Sequence, residues 1–153
     1  MRILVMGLPG SGKTTLSEYL AKELKAKHFN ADKIREQFND WDFTKEGRLR
    51  QAKRMKELAD KCKISICDFV CPLPEMREIF DADVIIWMDT IKEGRFTNTN
   101  KIFVAPEEYD LRFTSWNHTN LDIVLNYLRA EHGNKKIKNR VIHQQILDTY
   151  IIL

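Results

Sequence analysis

Long apolar runs are missing from this chain of 153 residues: none approaches the roughly 20 residues that a membrane-spanning helix needs. Internal repeats and low-complexity linkers are missing too, so a single domain with a real core is expected at this length. Cysteine is scarce. Cys62, Cys67 and Cys71 fall at a spacing that fits no zinc pattern, with no histidine beside them, which leaves reduced, partly buried thiols. No N-K-x-D guanine signature occurs, which argues against a GTPase-type switch. The formal charge of +3 suits an anionic substrate and gives no case for nucleic acid. The first apolar segment begins at Arg2, so no signal peptide is expected and a cytoplasmic location is the default. Glycine numbers only six, yet three of the six lie between positions 7 and 12.

Those three glycines belong to Gly7-Leu8-Pro9-Gly10-Ser11-Gly12-Lys13-Thr14, which fits G-x-x-x-x-G-K-[ST], the phosphate-binding P-loop. Residues 2–6 before it read as a buried strand. Leu16, Leu20 and Leu24 after it share one face of a helix. Strand, glycine-rich turn and amphipathic helix form the context this motif requires. Gly7, Gly10 and Gly12 let successive N–H groups point inward around phosphate oxygens, and the first helical turn adds partial positive charge. Lys13 reaches the β- and γ-phosphates, and the Thr14 hydroxyl is placed to coordinate Mg²⁺. ATP is therefore expected along Gly7, Pro9, Gly10, Ser11, Gly12, Lys13, Thr14 and Thr15.

Elsewhere strands and helices alternate. Strands are expected at 26–30, 64–70, 83–89 and 110–114, the last at an edge. Helices are expected after the P-loop, from Lys33 to about Phe38, from Thr44 to about Lys61, through Phe80 behind Pro72 and Pro74, and from Leu121 to about Glu131. Residues 94–106 are polar and read as an irregular lid or substrate loop. Alternation with short links implies an α/β fold of three layers, a mostly parallel sheet flanked by helices on both faces. Residues 1–131 then form the domain. Residues 132–153 are an extension, expected to be helical from Val141 and packed on that domain.

With these pieces in view, residues 1 to about 90 resemble an adenylylsulfate kinase, a family that moves the γ-phosphoryl of ATP to the 3′-hydroxyl of adenosine 5′-phosphosulfate. The family P-loop reads G-L-S-G-[AS]-G-K-[ST], and Pro9 stands where its first serine is. Its D-G-D-x-x-R segment corresponds to Asn30-Ala31-Asp32-Lys33-Ile34-Arg35, with asparagine for the first aspartate. Its G-F-[ST] and D-R-x-x-N-x-x-R segments correspond to Phe43-Thr44 and Gly47 to Arg54, keeping Arg48 and Arg54 and placing Gln51 at the asparagine. Its F-I-S-P loop corresponds to Phe69-Val70-Cys71-Pro72, with cysteine for serine, and a later helix arginine to Arg77. Its F-V-D-T strand end corresponds to Trp87-Met88-Asp89-Thr90. The family's glycine-rich lid is not reproduced, and a shorter stretch from Arg95 to Pro106 stands in its place.

The resemblance implies a P-loop kinase fold, ATP and Mg²⁺, nucleotide substrates, commonly a homodimer, and a role in sulfate assimilation. It implies catalytic roles for Lys13, Asp32 and Arg35. Acceptor contacts would come from Asp32, Arg35, Phe43, Arg48, Gln51, Phe69, Val70, Cys71, Lys101 and Phe103. Read as chemistry, Asp32 orients the acceptor hydroxyl, accepts its proton or holds a Mg²⁺ water, or else it simply caps its helix. Arg35 offers a guanidinium fork to an anion. Phe43 and Phe69 are each either a stacking ring or a core residue. Asp68 ends an apolar strand and resembles a Walker B aspartate holding Mg²⁺ through water. The thiol of Cys71 excludes a phosphoenzyme route through that position. Two other readings remain: a P-loop kinase for another hydroxyl, such as a polynucleotide 5′-end or a small metabolite, and a nucleotide-binding module without transferase activity.

Overall fold

The computed structural model describes residues 1–131; the expected tail helix from Val141 and the packing of 132–153 lie outside the described residues. The chain alternates β1 (Arg2–Met6), α1 (Lys13–Leu24), β2 (Lys27–Asn30), α2 (Ala31–Phe38), α3 (Lys45–Ala59), β3 (Ser65–Asp68), α4 (Pro74–Phe80), β4 (Val84–Met88), α5 (Thr97–Ile102), β5 (Leu111–Phe113) and α6 (Thr119–Glu131). All five strands run parallel in the order β2-β3-β1-β4-β5.

Two-residue alternation splits β1 between two cores. Ile3 and Val5 face α1 and α6, where they meet Leu16, Leu20, Val124 and Leu128. Leu4 and Met6 face the other side, against Ala52, Met55, Met76 and Phe80 of α3 and α4. A sheet apolar on both faces must be covered on both, which is why β4 (Val84–Met88) and β1 after Arg2 read as continuous apolar runs. Helix ends are set locally. Thr44 accepts from the Gly47 N–H at 3.2 Å to start α3, and Pro74 occupies the first turn of α4. β5 is the expected edge strand.

Two expectations change. The 94–106 region is not irregular throughout, because it carries α5, a helix of six residues. Asp32 does not cap α2. Asn30 does so, its side chain accepting from the Lys33 N–H at 3.1 Å, and this leaves Asp32 exposed in the first turn.

The sheet order decides where ligands go. From β1 the chain fills one side with β3 and β2 and the other with β4 and β5. The carboxyl end of β1 is therefore the switch point where an α/β sheet opens a crevice. The P-loop leaves β1 there, and the ends of β2, β3, β4 and β5 bring Asn30, Asp68, Asp89 and Trp116 to the same edge.

Candidate functional site

Backbone geometry builds the P-loop. Gly7 and Gly12 have φ of 149° and 97°, values L side chains rarely adopt. Gly7 also lies so close to β4 that a Cβ would stand 2.4 Å from the Met88 carbonyl oxygen. Thr90, just past β4, donates to the Ser11 carbonyl at 2.7 Å and ties the loop to the sheet. The Ser11 hydroxyl is buried with no hydrogen-bond partner among the described residues. A buried orphan of this kind inside a cradle of N–H groups fits a phosphate oxygen.

Lys13 starts α1 with its side chain folded inward, 8% exposed, its ammonium donating to the Leu8 carbonyl at 3.0 Å. Burial lowers its pKa to about 8, opposed by the negative charges of Asp68 and Asp32. An anionic phosphate would reverse that desolvation penalty. The next residue, Thr14, donates its hydroxyl to Asp68 Oδ1 at 3.3 Å. Asp68 is 2% exposed and is also held by Asn30 Nδ2 at 3.0 Å and by His28 Nε2. A threonine hydroxyl and a carboxylate beside the P-loop are hard oxygen donors that suit Mg²⁺. The structure thus brings the two expected metal residues together.

On the β2 flank, α2 and α3 carry the acceptor candidates. Arg35 and Arg48 are both buried, and burial lowers the pKa of each. Arg35 donates to the Asp40 and Asp42 carbonyls at 3.0 and 3.2 Å, and Arg48 to the Phe43 carbonyl at 2.9 Å. Their guanidinium carbons lie 4.3 and 5.3 Å from the Phe43 ring centroid, so two cations neighbour one half-exposed aromatic ring. Phe43 is half exposed, with Trp41 6.5 Å away in a tilted pair. Asp40 is the tie below them. Bonds from Arg50 and then Arg54 hold its carboxyl far below the usual carboxylate range.

The remaining candidates are spread between core and surface. Gln51 is buried and donates to the Ala31 carbonyl at 3.1 Å, joining α3 to α2. The Phe69 ring is core, edge-on to Phe80 at 5.5 Å. Val70 is half buried beside it. Cys71 takes a left-handed φ of 49°, and burial pushes its thiol up to about 12, so it holds no thiolate at neutral pH. Lys101 is exposed on α5. Phe103 packs with the α3–α4 core, 5.7 Å from the Arg77 guanidinium, and is not a free clamp.

Two site-edge residues escaped the sequence reading. His28, on Asp68, was detectable only as a polar residue two before Asn30 and hence on the same face of β2. Trp116 gave no signal. Its ring lies against the P-loop, 3.0 Å from where a Gly12 Cβ would be, and is 46% exposed. Asn120 donates to the Ser115 carbonyl at 3.1 Å and fixes the loop that carries it.

The comparisons with known proteins agree with this geometry. The model of the adenylylsulphate kinase family matches residues 1–107. The APS kinase CysC of Mycobacterium tuberculosis, in complex with AMPPNP and APS, superposes with a TM-score of 0.71 at 21% identity, over 84% of this chain and 96% of that one. A hexameric APS kinase from Thiobacillus denitrificans superposes at 0.62 and 20% identity, over 85% of this chain and 29% of that one. The shikimate kinase of Aquifex aeolicus superposes at 0.61 and 15% identity, over 88% and 99%. At these identities the superpositions establish a P-loop kinase fold. No curated protein sequence matches the chain.

Proposed function

This chain belongs to the adenylylsulphate kinase family, and we propose that it transfers the γ-phosphoryl of ATP to the 3′-hydroxyl of adenosine 5′-phosphosulfate. The observation that carries the acceptor is Phe43, an exposed ring backed by the Arg35 and Arg48 guanidinium groups. A purine stacks on such a face, and the cations beneath favour an anionic nucleotide. The donor phosphates lie in the P-loop, with Lys13 and the N–H groups taking up developing charge. Mg²⁺, held by Thr14 and through water by Asp68, would neutralise the β- and γ-oxygens. The donor base leaves the loop on the flank opposite Phe43, where Trp116 offers its face.

Asp32 does the proton chemistry. Exposed, and relieved of capping by Asn30, it accepts the proton of the 3′-hydroxyl as that oxygen bonds to the γ-phosphorus. The bond to the β-bridging oxygen breaks, and ADP leaves with the electron pair. The products are ADP and 3′-phosphoadenosine 5′-phosphosulfate, made in the cytoplasm as a step of sulfate assimilation.

Coupled ADP release with Mg²⁺ and ATP tests the reading, comparing adenosine 5′-phosphosulfate with no acceptor, shikimate and a 5′-hydroxyl oligonucleotide. Stimulation by adenosine 5′-phosphosulfate alone, lost in Lys13→Ala and Asp32→Ala, is expected. Stimulation by another acceptor only would move the protein to the second kinase reading. ATP turnover indifferent to every acceptor would favour the binding module. The family resemblance implies a homodimer, whereas the APS kinase from Thiobacillus denitrificans is hexameric; light scattering decides between them.

A further inference from the structure

We infer that His28 is a positioning residue for phosphoryl transfer: its imidazole holds one oxygen of Asp68 so that the other is turned toward Thr14. The inference rests on the Thr14–Asp68 metal site proposed above and goes beyond it by naming what sets the carboxylate.

The placement follows from strand geometry. β2 lies beside β3 in parallel register, with His28 opposite Ile66 and Asn30 opposite Asp68. Alternation puts His28 and Asn30 on one face of β2. From there both side chains reach Asp68, but at different oxygens. Asn30 Nδ2 donates to Oδ1 at 3.0 Å, and Thr14 Oγ1 donates to the same oxygen at 3.3 Å. His28 Nε2 bonds Oδ2. Asn30 also bridges to the Thr14 hydroxyl at 3.4 Å. The side chains of His28 and Asp68 are 16% and 2% exposed, so water does little to satisfy this carboxylate.

A carboxylate held at both oxygens cannot turn about its last torsion. Held at one oxygen only, it can rotate and present either edge to the P-loop. His28 is the only group among the described residues bonded to Oδ2, so it removes that freedom. Partners that orient a carboxylate bonded to the metal's water change metal affinity without touching the metal. The same bond could instead serve stability alone, by satisfying a buried charge. The two roles differ in what they move. A structural bond changes the melting temperature, and a positioning bond changes the metal as well.

Mn²⁺ separates them, because it reports the site by electron paramagnetic resonance without an acceptor and without turnover. Its dissociation constant is measured on the protein saturated with AMPPNP, alongside the melting temperature. His28→Leu should weaken Mn²⁺ by up to about tenfold, the low end of what outer-sphere partners show, because Asp68 acts through water. His28→Gln, whose amide keeps an N–H donor of similar reach, should recover most of that loss. If His28→Leu does not fold, His28→Asn, too short to reach Oδ2, takes its place.

Wild-type Mn²⁺ affinity in the Leu or Asn variant, with only the melting temperature lowered, overturns the inference. So does a Gln variant as defective as Leu. An Asp68→Asn protein that binds Mn²⁺ like the wild type removes the metal role of Asp68 and the inference with it. A protein that ignores adenosine 5′-phosphosulfate but shows the His28 dependence rejects the acceptor reading and keeps this one.

Discussion

The two flanks of the P-loop are built in opposite ways. On the β2 flank, charged side chains tie one another down: Arg50 and Arg54 on Asp40, Arg35 and Arg48 under Phe43, and His28 and Asn30 on Asp68. On the β4 flank there is one ion pair among the described residues, Arg112 on Asp89, and the contacts nearest the loop are made by backbone and amide groups. Asn100 makes two 2.8 Å bonds with the Gly94 peptide, Asn120 holds the Ser115 carbonyl, and Trp116 rests on Gly12. Rigid buried cations suit a substrate recognised by its charge and its base together. A more polar flank suits a donor whose phosphates are already gripped by the loop. On the proposed function, the acceptor half is organised before substrate arrives.

The largest effect should come from the residue common to both halves. Lys13→Ala should cut kcat/KM for ATP by about 10³-fold or more, as loss of a preorganised charge does. Next, Asp32→Ala should lower kcat by about 10²–10⁴-fold with KM for ATP unchanged, the signature of a lost general base. Steady-state kinetics in both substrates check these two. The comparison itself breaks on a crossed pair. Phe43→Ala should raise KM for the acceptor by about tenfold and spare ATP, while Trp116→Ala should do the reverse, each within the worth of a stacked base. If either variant moves both constants equally, the flanks are not separate sites.

The smallest effect is that of pH. The Lys13 ammonium titrates near pH 8 in the free protein, whereas bound phosphate keeps it charged. Binding ATP above pH 8 must therefore take up a proton, and affinity should fall as pH rises, by at most about tenfold per unit. Calorimetry in buffers of different ionisation enthalpy reads that uptake directly. Lys13→Arg should abolish the pH dependence, because a guanidinium stays charged throughout this range.

How much the sequence disclosed follows from how local each feature is. The P-loop was legible because all eight positions and both flanking elements lie within 24 residues. The strands were legible from apolar runs, and their parallel direction, though not their order in the sheet, from alternation with helices. The α2 cap was misread by two residues because asparagine and aspartate are both good caps, and only the start of the helix distinguishes them. The helix α5 was missed because Thr97-Asn98-Thr99-Asn100 has poor helix propensity, and the Asn100 bonds to Gly94 beside it follow no repeating helix pattern. The alternatives at Phe43 and Phe69 needed burial to resolve. The roles of His28 and Gln51 need the β2–β3 register and the α2–α3 contact, which no pattern along one segment encodes.

Arg77 has a mechanical consequence. Its single guanidinium gathers the carbonyls of Cys71, Pro72 and Val104, and the Val104 N–H returns a 2.9 Å bond to Pro72. At the other end, Gly94 sits against Pro9 so closely that a Cβ would stand 2.9 Å from the proline ring. The span between these two fixed posts is short and is itself moored: Thr99 is buried, Phe103 packs on the α3–α4 core, and Asn100 bonds back to Gly94. A strap tethered at so many points limits how bulky an acceptor could fit beneath it.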